Sequence, residues 1–348
     1  MTAFQITGRV QHDAWQRRVM PPIEEVRPGL WSVPVPIPFS PLRYTLSYAF
    51  VTDAGVVVVD PGWNTAEGHD AIIAGLAAAG ADVADVAGIV VTHIHPDHHG
   101  MSAWLRERSG AWIAMHPAEA ATLPSRIWHD RPPTADPRWL RLHGAPDDQV
   151  STLSVRPAQL DVVLAMPEPD RFLEDGDSVG VPGRAVRAVW TPGHTPGHLC
   201  LHDAAAGVLL TGDHLLPRIS PNISVHGRSD TNDPLSAYLD ALDRTMAFRA
   251  DEALPAHEYR FRGIDARAAD LIVHHRERGA EIMAAVDRHG DPTAWEIATQ
   301  LTWSRGWAAL HGMMRRMALA ETVAHLNYLT AQKELTRSET DPLRWRRA

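Results

Sequence analysis

The chain has 348 residues, of which 45% are hydrophobic and 22% are charged, so it has room for about two globular domains and is no small disulfide-held scaffold. Its net charge of −9 gives no general attraction for nucleic acid or an anionic membrane, and it favours a small-molecule substrate. Cys200 is the only cysteine, so a metal site within this chain must use histidines and carboxylates. No stretch approaches the ~20 apolar residues of a membrane span, and residues 1–15 lack a signal-peptide pattern. We therefore expect a cytoplasmic protein that does not act at a membrane.

The first third of the chain alternates short β-branched runs with one helical stretch, which is the pattern of an α/β fold. A helix is predicted from a capping box formed by Asn64 and Glu67 to about Ala79. Strands are predicted at 48–52, 55–60, 88–91 and 111–113. The strand at 88–91 runs directly into a cluster of histidines.

Residues 118–157 interrupt this pattern with six prolines among tryptophans and arginines. We interpret the segment as an insertion or lid, because long proline-rich connections within compact domains are often functional. An ordinary surface excursion is an equal alternative.

The remainder returns to strands and then changes to helices. Strands are predicted at 184–191, 199–203, 208–211 and 253–255, with a helix at 234–248. Further helices are predicted at 266–289, at 292–301 with Pro292 as the first helical residue, and at 313–329, before a short hairpin or tail at 333–347. The change in character places a domain boundary near residue 264.

The segment THIHPDHHG, which begins at Thr92, offers four metal-binding side chains within six residues: His93, His95, Asp97 and His98. Imidazole and carboxylate groups are ligands of Zn²⁺, and catalytic zinc sites keep one coordination position for water. Four such donors are too crowded for one ion with regular geometry. They favour two neighbouring metals.

Three further strand ends supply additional ligands. The TPGHTPGH turn carries His194 and His198, the TGDH motif carries Asp213, and the LPAHE motif carries His257. Proline and glycine fix the first of these turns so that an imidazole points outward, and we expect His198 to serve there as a hydrogen-bonding side chain. We expect the four strand ends to converge on one active site.

These four motifs, in this order, resemble those of the metallo-β-lactamase superfamily over roughly residues 28–263. The resemblance implies an αββα sandwich with the metals at one edge. It also implies a first metal on His93, His95 and His194, a second metal on Asp97, His98 and His257, and Asp213 bridging both. Asp60, at the end of its strand, stands where the family places a carboxylate that orients a ligand histidine.

Two further resemblances refine this picture. Asp213 is similar to the bridging aspartate of the glyoxalase II, lactonase, phosphodiesterase and ribonuclease branches, which argues against true β-lactamase activity. Residues 264–348 resemble the mainly helical winged-helix domain that is appended to one branch of the superfamily. The expected division is therefore a catalytic domain at 1–263 and a winged-helix domain at 264–348.

Two Zn²⁺ ions, with iron or manganese as alternatives, would activate a bridging hydroxide for attack on a polarised carbonyl or phosphoryl group. Asp97 is expected to act as a general base as well as a ligand. The expected function is a dinuclear hydrolase of a small ester, thioester or lactone. An endoribonuclease or phosphodiesterase is the alternative, followed by a ligand-sensing regulator that binds nucleic acid.

Six residues close to the ligand motifs are candidates for substrate contact, with ordinary loop roles as the alternative: His214, Arg218, Asn222, His226, Tyr259 and Arg260. Arginines of the C-terminal segment are candidates for nucleic-acid contact, although arginines on an outer helix face are usually solvated. A small-molecule substrate is the expected partner, and the sequence leaves a homo-oligomer open.

Overall fold

The computed structural model describes residues 3–38, 40–127, 135–154, 165–225 and 233–348. Within these residues, a first β-sheet has seven strands in the order β2-β3-β4-β5-β6-β7-β8. Strands β5 to β8 pair in parallel, so their carboxyl ends meet at one edge of the sheet. The strands are β2 (Glu24–Arg27), β3 (Leu30–Pro36), β4 (Tyr44–Thr52), β5 (Gly55–Val59), β6 (Val86–Val90), β7 (Trp112–Met115) and β8 (Arg171–Phe172).

The second sheet, again among the described residues, has six strands in the order β1-β13-β12-β11-β10-β9. Its central pair, β11 and β12, is parallel, whereas the neighbouring pairs are antiparallel. The strands are β1 (Gln5–Ile6), β9 (Val186–Trp190), β10 (Leu199–Asp203), β11 (Val208–Gly212), β12 (Glu252–Pro255) and β13 (Phe261–Arg262).

The helices cover the outer faces of both sheets or extend beyond them. They are α1 (Arg9–Arg17), α2 (Ala66–Ala78), α3 (Pro96–His99), α4 (Ser102–Ser109), α5 (Pro117–Ala120), α6 (Pro124–Ile127), α7 (Ala135–Leu142), α8 (Asp147–Leu153), α9 (Pro234–Thr245), α10 (Ile264–His289), α11 (Ala294–Ala298) and α12 (Gly312–Ala331). The longest, α10 and α12, lie in the C-terminal part of the chain. None of the described helices is both long and apolar enough to span a membrane.

The two-residue alternation of β4 shows how the layers form. Leu46 and Phe50 pack against residues of the second sheet such as Leu201, whereas Ala49 belongs to the core beneath α2 and α4. The outer face of the second sheet packs against α9 and α10 through side chains such as Cys200, Tyr238 and Leu271. The layers are helix, sheet, sheet and helix, so the expected mixed α/β architecture is confirmed.

Two predicted helix starts are corrected by the structure. The N-cap of α2 is Thr65, whose hydroxyl accepts a hydrogen bond from the backbone N–H of Gly68, and the preceding Asn64 instead bonds the ring of His69. The predicted helix at 292–301 is shorter and starts later, because Thr293 and Glu296 form the capping box of α11. The first helical residue of α11 is therefore Ala294, two positions after the predicted Pro292, and in both helices a threonine hydroxyl accepts a hydrogen bond from a free N–H of the first turn.

The described part of the 118–157 insertion is helical and shares a core with the C-terminal part. Leu140 of α7 and Leu153 of α8 pack in one hydrophobic cluster with Ile282 of α10 and Leu326 of α12. The same cluster includes Trp345 of a two-stranded antiparallel hairpin, β14 (Leu335–Arg337) and β15 (Trp345–Arg347), so the structure has the hairpin and not the tail that the sequence left open. The domain boundary near residue 264 stays a prediction, because this hydrophobic cluster contains residues from both sides of it.

Candidate metal centre

The predicted ligand residues meet where strands of both sheets end. The segment after β6 carries His93, the turn between β9 and β10 carries His194, and the residues that follow β11 and β12 include Asp213 and His257. A backbone hydrogen bond of 3.0 Å from Leu199 N to the carbonyl of residue 92 joins the first two segments directly. The packing of the two sheets therefore brings chain segments that are far apart in the sequence to one point.

Three histidine nitrogens form the first ligand group. His93 Nε2 lies 3.0 Å from His95 Nδ1, and His194 Nε2 lies 3.3 Å and 3.1 Å from these two atoms. One ion can contact all three nitrogens, because each ring presents one nitrogen to the same small space. This is the first of the two predicted ligand sets, and the structure brings all of its members together.

The second ligand group contains Asp97, His98 and His257. Asp97 Oδ2 lies 3.7 Å from His98 Nε2 and 3.4 Å from His257 Nε2. Asp213 lies between the two groups: its Oδ1 is 3.6 Å from His98 Nε2 and 3.2 Å from His257 Nε2, and its Oδ2 is 3.6 Å from His194 Nε2. One carboxylate therefore faces both groups.

Three atoms of this centre are buried polar atoms that make no hydrogen bond within the described part of the chain. They are His98 Nε2, His257 Nε2 and Asp213 Oδ1. A buried polar atom without a partner is costly, and a cation placed among two imidazoles and a carboxylate would satisfy all three. The residues present therefore fit bound divalent metals.

The second ring nitrogen of each of four ligand histidines makes its own hydrogen bond. His98 Nδ1 lies 2.9 Å from Asp60 Oδ2, and Asp60 also accepts bonds from the backbone N–H and the hydroxyl of Thr92. Such bonds fix the tautomer and the orientation of a metal-binding imidazole. The other three are His93 Nδ1 to Thr92 Oγ1 (3.0 Å), His194 Nδ1 to the carbonyl of Asn222 (2.8 Å) and His257 Nδ1 to the carbonyl of Tyr44 (3.0 Å).

The electrostatic field of the centre favours a cation. Burial opposes the charged form of Asp213, but His257 and His98 hold the pKa of its carboxyl well below the usual value. Burial likewise opposes protonation of His98, yet the carboxylates of Asp97, Asp60 and Asp213 raise its pKa to about 10. Negative charge is thus concentrated in a buried space, where a cation interacts strongly with it.

The structure places His198 and His214 beside the centre in supporting positions. His198 Nδ1 lies 2.8 Å from Thr191 Oγ1, and its Nε2 accepts a hydrogen bond of 3.1 Å from the backbone N–H of Asp213. His214 is fully buried, and its Nε2 lies 2.8 Å from Thr245 Oγ1 in α9. The ring of His214 is therefore buried against α9, and the substrate contact expected of it stays a prediction.

Among the other candidate substrate residues, Arg218 and Tyr259 lie beside the segment that carries His257. Arg218 is half-exposed, donates to Glu258 Oε1 at 2.8 Å and stacks over the ring of Trp15. The ring of Tyr259 also packs edge-on against Trp15. Asn222 contributes its carbonyl to His194, as described above, and His226 lies outside the described residues.

Arg260 differs from the expectation of substrate contact. Its guanidinium is buried and donates to Glu252 at 2.8 Å and to Glu24 at 2.5 Å. These two ion pairs join the start of β13 to β12 and β2, so the side chain is committed to holding strands together. Its closeness to His257 in the sequence does not bring it into the centre.

Sequence reasoning missed Glu119, a fully buried carboxylate that accepts hydrogen bonds from the backbone N–H groups of Ile94 and Gly197. Burial raises the pKa of Glu119 to about 7, although these N–H groups oppose the shift. Nothing in the sequence around residue 119 resembles a site motif. Thr92 was missed as well, although its hydroxyl bonds Asp60 and lies 3.0 Å from His93 Nδ1. Its position directly before the first ligand histidine could have indicated this role.

Comparison with known proteins agrees with this geometry. A family model described as the metallo-beta-lactamase superfamily matches residues 41–257. The crystal structure of a metallo-beta-lactamase family protein from Thermus thermophilus is 31% identical, with a TM-score of 0.78, and the match covers 93% of this chain and 100% of that one.

Matches to curated proteins are shorter. The lactamase-like protein adaB of Aspergillus niger is 32% identical over 116 residues, which are 33% of this chain and 34% of that protein. The acyl-coenzyme A thioesterase MBLAC2 of Gallus gallus is 32% identical over 133 residues, which are 36% of this chain and 40% of that protein. The chain thus spans less than half the length of either curated relative. Because the family model covers well over half of its residues, the chain belongs to the metallo-β-lactamase superfamily.

Proposed function

We propose that this chain is a hydrolase that holds two divalent metal ions and cleaves a small ester, thioester or lactone. The observation that carries the proposal is the position of Asp213, which faces His194 of the first ligand group and both His98 and His257 of the second. A carboxylate placed in this way suits a pair of neighbouring ions and is similar to the bridging aspartate of the glyoxalase II-like branch.

The first ion would be held by His93, His95 and His194, the second by Asp97, His98 and His257, with Asp213 shared. Zinc suits this set of nitrogen and oxygen donors, and iron or manganese accept the same set. When bound, such ions supply an acidified water and an electrophile for the substrate's oxygen.

Asp97 is the residue proposed to accept a proton from the attacking water. Its side chain is 15% exposed, whereas those of His98 and His257 are fully buried, so it is open to solvent on one side. Its Oδ2 lies 3.4 Å from His257 Nε2, which fixes the carboxylate beside the second ligand group. A carboxylate in this position can hold the proton while it remains a ligand.

A thioester is the favoured substrate within the proposed class. A thiolate, whose conjugate acid has a pKa of about 8.5, leaves without a proton from an acidic side chain, whereas an alkoxide requires one. The relative from Gallus gallus is named as an acyl-coenzyme A thioesterase, which supports the same choice.

The arginines of α12 give less support to the two alternatives that involve nucleic acid, the nuclease and the nucleic-acid-binding regulator. Arg315 donates to Gln149 at 3.1 Å, and Arg316 pairs with Asp136 at 2.6 Å, so both arginines contact the insertion. The order of α10, α11, α12 and the β14–β15 hairpin supports the winged-helix assignment of residues 264–348, which stays part of this proposal. Cleavage of RNA would be the result that favours the alternative.

The test combines metal analysis with a substrate screen. We expect about two metals per purified chain and hydrolysis of acyl thioesters that is lost in His95→Ala, because this substitution removes one ligand from the first group. His289→Ala is the matched control, since this exposed histidine at the end of α10 lies 2.7 Å from a surface glutamine, Gln300. Wild-type activity in His95→Ala, or a chain that binds no metal, refutes the proposal.

A further inference from the structure

We propose that Glu119 is a positioning residue that holds the two loops of the first ligand group in register, so that their histidines are arranged before any metal binds. This inference rests on the metal centre proposed above. It concerns a side chain that belongs to neither ligand group and lies in the short helix α5.

Each carboxylate oxygen of Glu119 serves a different loop. Oε1 accepts a hydrogen bond of 2.8 Å from the backbone N–H of Ile94, the residue between His93 and His95. Oε2 accepts a bond of 2.8 Å from the backbone N–H of Gly197, three residues after His194. The carboxylate therefore spans the gap between two segments that lie about a hundred positions apart in the sequence.

Only a carboxylate suits this position fully. Both of its oxygens accept, and both facing groups are N–H donors, whereas a glutamine would place its own NH₂ against one of them. Burial of a carboxylate is costly unless it is well hydrogen-bonded, and Glu119 has no exposed surface.

The neighbouring backbone is built for a close approach to Glu119. A Cβ atom on Gly197 would lie 2.2 Å from the backbone nitrogen of Glu119 and 2.6 Å from its Cβ. Glycine is thus required for the turn of His194 to reach helix α5. The close approach and the two short bonds together fix the distance between the loops.

Asp60 has the equivalent place behind the second ligand group, where it joins Thr92 to the ring of His98. Glu119 differs because it bonds backbone N–H groups and no ligand ring, so it sets loop position rather than the tautomer of a ring. Its expected effect is on the spacing between the nitrogens of His93, His95 and His194.

The test measures Co²⁺ binding by chelator competition and the visible spectrum of the Co²⁺-loaded protein for wild type and Glu119→Gln. Asp203→Asn is the matched control: Asp203 is also buried and accepts from Ala206 N at 3.0 Å and from Arg184 at 3.0 Å. It lies four residues beyond Leu199, roughly 13 Å along β10 and away from the ligand loops.

We expect Glu119→Gln to weaken Co²⁺ affinity about 10- to 100-fold and to alter the spectrum. Asp203→Asn should leave both unchanged even where its melting temperature falls. Wild-type affinity and spectrum in Glu119→Gln overturn the inference. A wild-type chain that binds no Co²⁺ refutes the proposed function instead.

If Glu119→Gln does not fold, amide hydrogen exchange of the metal-free wild-type protein decides. The N–H groups of Ile94 and Gly197 should then be as strongly protected as those of the central strands, because Glu119 bonds them without metal. Exchange at the rate of an exposed loop overturns the inference.

Discussion

Two buried histidines that join helices α10 and α12 should make the stability of the protein depend on pH. His275 Nδ1 lies 3.1 Å from His325 Nε2, and His325 Nδ1 lies 2.9 Å from the carbonyl of Glu321. Ser220 Oγ lies 3.4 Å from the remaining nitrogen, His275 Nε2. When both rings are neutral, each Nδ1–H donates along this chain and each Nε2 accepts.

Protonation of either ring disturbs this arrangement. A proton on His325 Nε2 would face the N–H of His275, and both rings are almost completely buried. Burial is the main cause that lowers the pKa of His325 to about 4, and Arg278 and His274 lower it further while the carbonyl of Glu321 opposes them. Burial and the neighbouring His325 also hold the pKa of His275 well below its usual value.

The remaining groups around the pair are few among the described residues. The ring of Tyr238 in α9 packs edge-on against His275 at 5.4 Å between centroids, and the side chain of Glu321 bonds Asn222. Burial raises the pKa of that glutamate to about 7, so its charge also changes within the acidic range. A variant of His325 alone is therefore needed to isolate the contribution of this ring.

The sign and the size follow from the shift of His325. In the unfolded chain its pKa is the ordinary 6.5, so below this pH the unfolded state binds a proton that the folded state does not. Stability is therefore fully present above pH 6.5 and is lost as the pH falls toward the folded pKa of about 4. The loss of stability amounts to about 2 kcal/mol at pH 5 and about 3 kcal/mol at about pH 4.

Urea unfolding of wild type and His325→Gln, in chelator and over pH 7.5 to 5, measures this contribution. Glutamine can donate to the carbonyl of Glu321 and accept from His275, but it does not titrate. Titration of the ligand histidines is common to both proteins and cancels in the difference. A difference in the free energy of unfolding that stays constant across this pH range refutes the reasoning.

Three further predictions concern the metal centre and the cores. Asp60→Asn replaces an acceptor behind His98 by a donor and should weaken metal affinity about 10- to 100-fold in chelator competition; unchanged affinity would contradict the role of Asp60. Gly197→Ala should cost at least about 1–3 kcal/mol in thermal unfolding because its Cβ meets backbone at 2.2 Å, whereas Gly279→Ala, with 3.8 Å to its nearest atom, should cost nothing. Leu153→Ala should cost about 2–5 kcal/mol in urea unfolding, and a cost near zero would show that the shared cluster is loosely packed.

The sequence predicted the parts of the centre that depend on local patterns. The strand at 88–91 and the motif after it lie close to their observed places, because a buried β-branched run determines where His93 leaves the sheet. The place of Asp60 at the end of its strand is a local feature as well, although its role behind a ligand histidine came from the resemblance to the family. These predictions needed no knowledge of which residues meet across the fold.

Glu119 and Arg260 show what local patterns cannot supply. The partners of Glu119 lie 25 and 78 positions away, and those of Arg260 include Glu24, which is 236 positions away. From the sequence alone, a charged residue near a ligand motif that faces the cavity cannot be distinguished from one that pairs with a carboxylate on another strand. Only the three-dimensional pairing of strands and loops decides between these outcomes.

The cluster that joins α7 and α8 to the C-terminal helices has a consequence for local unfolding. Leu140 and Leu153 share their apolar neighbours with Ile282 and Leu326, so opening of α12 exposes side chains of the insertion at the same moment. The two segments should therefore form one cooperative unit, and their most protected amides should report a single opening free energy. Loss of order at the C-terminus would then reach the insertion between β7 and β8 even though the two sheets stay intact.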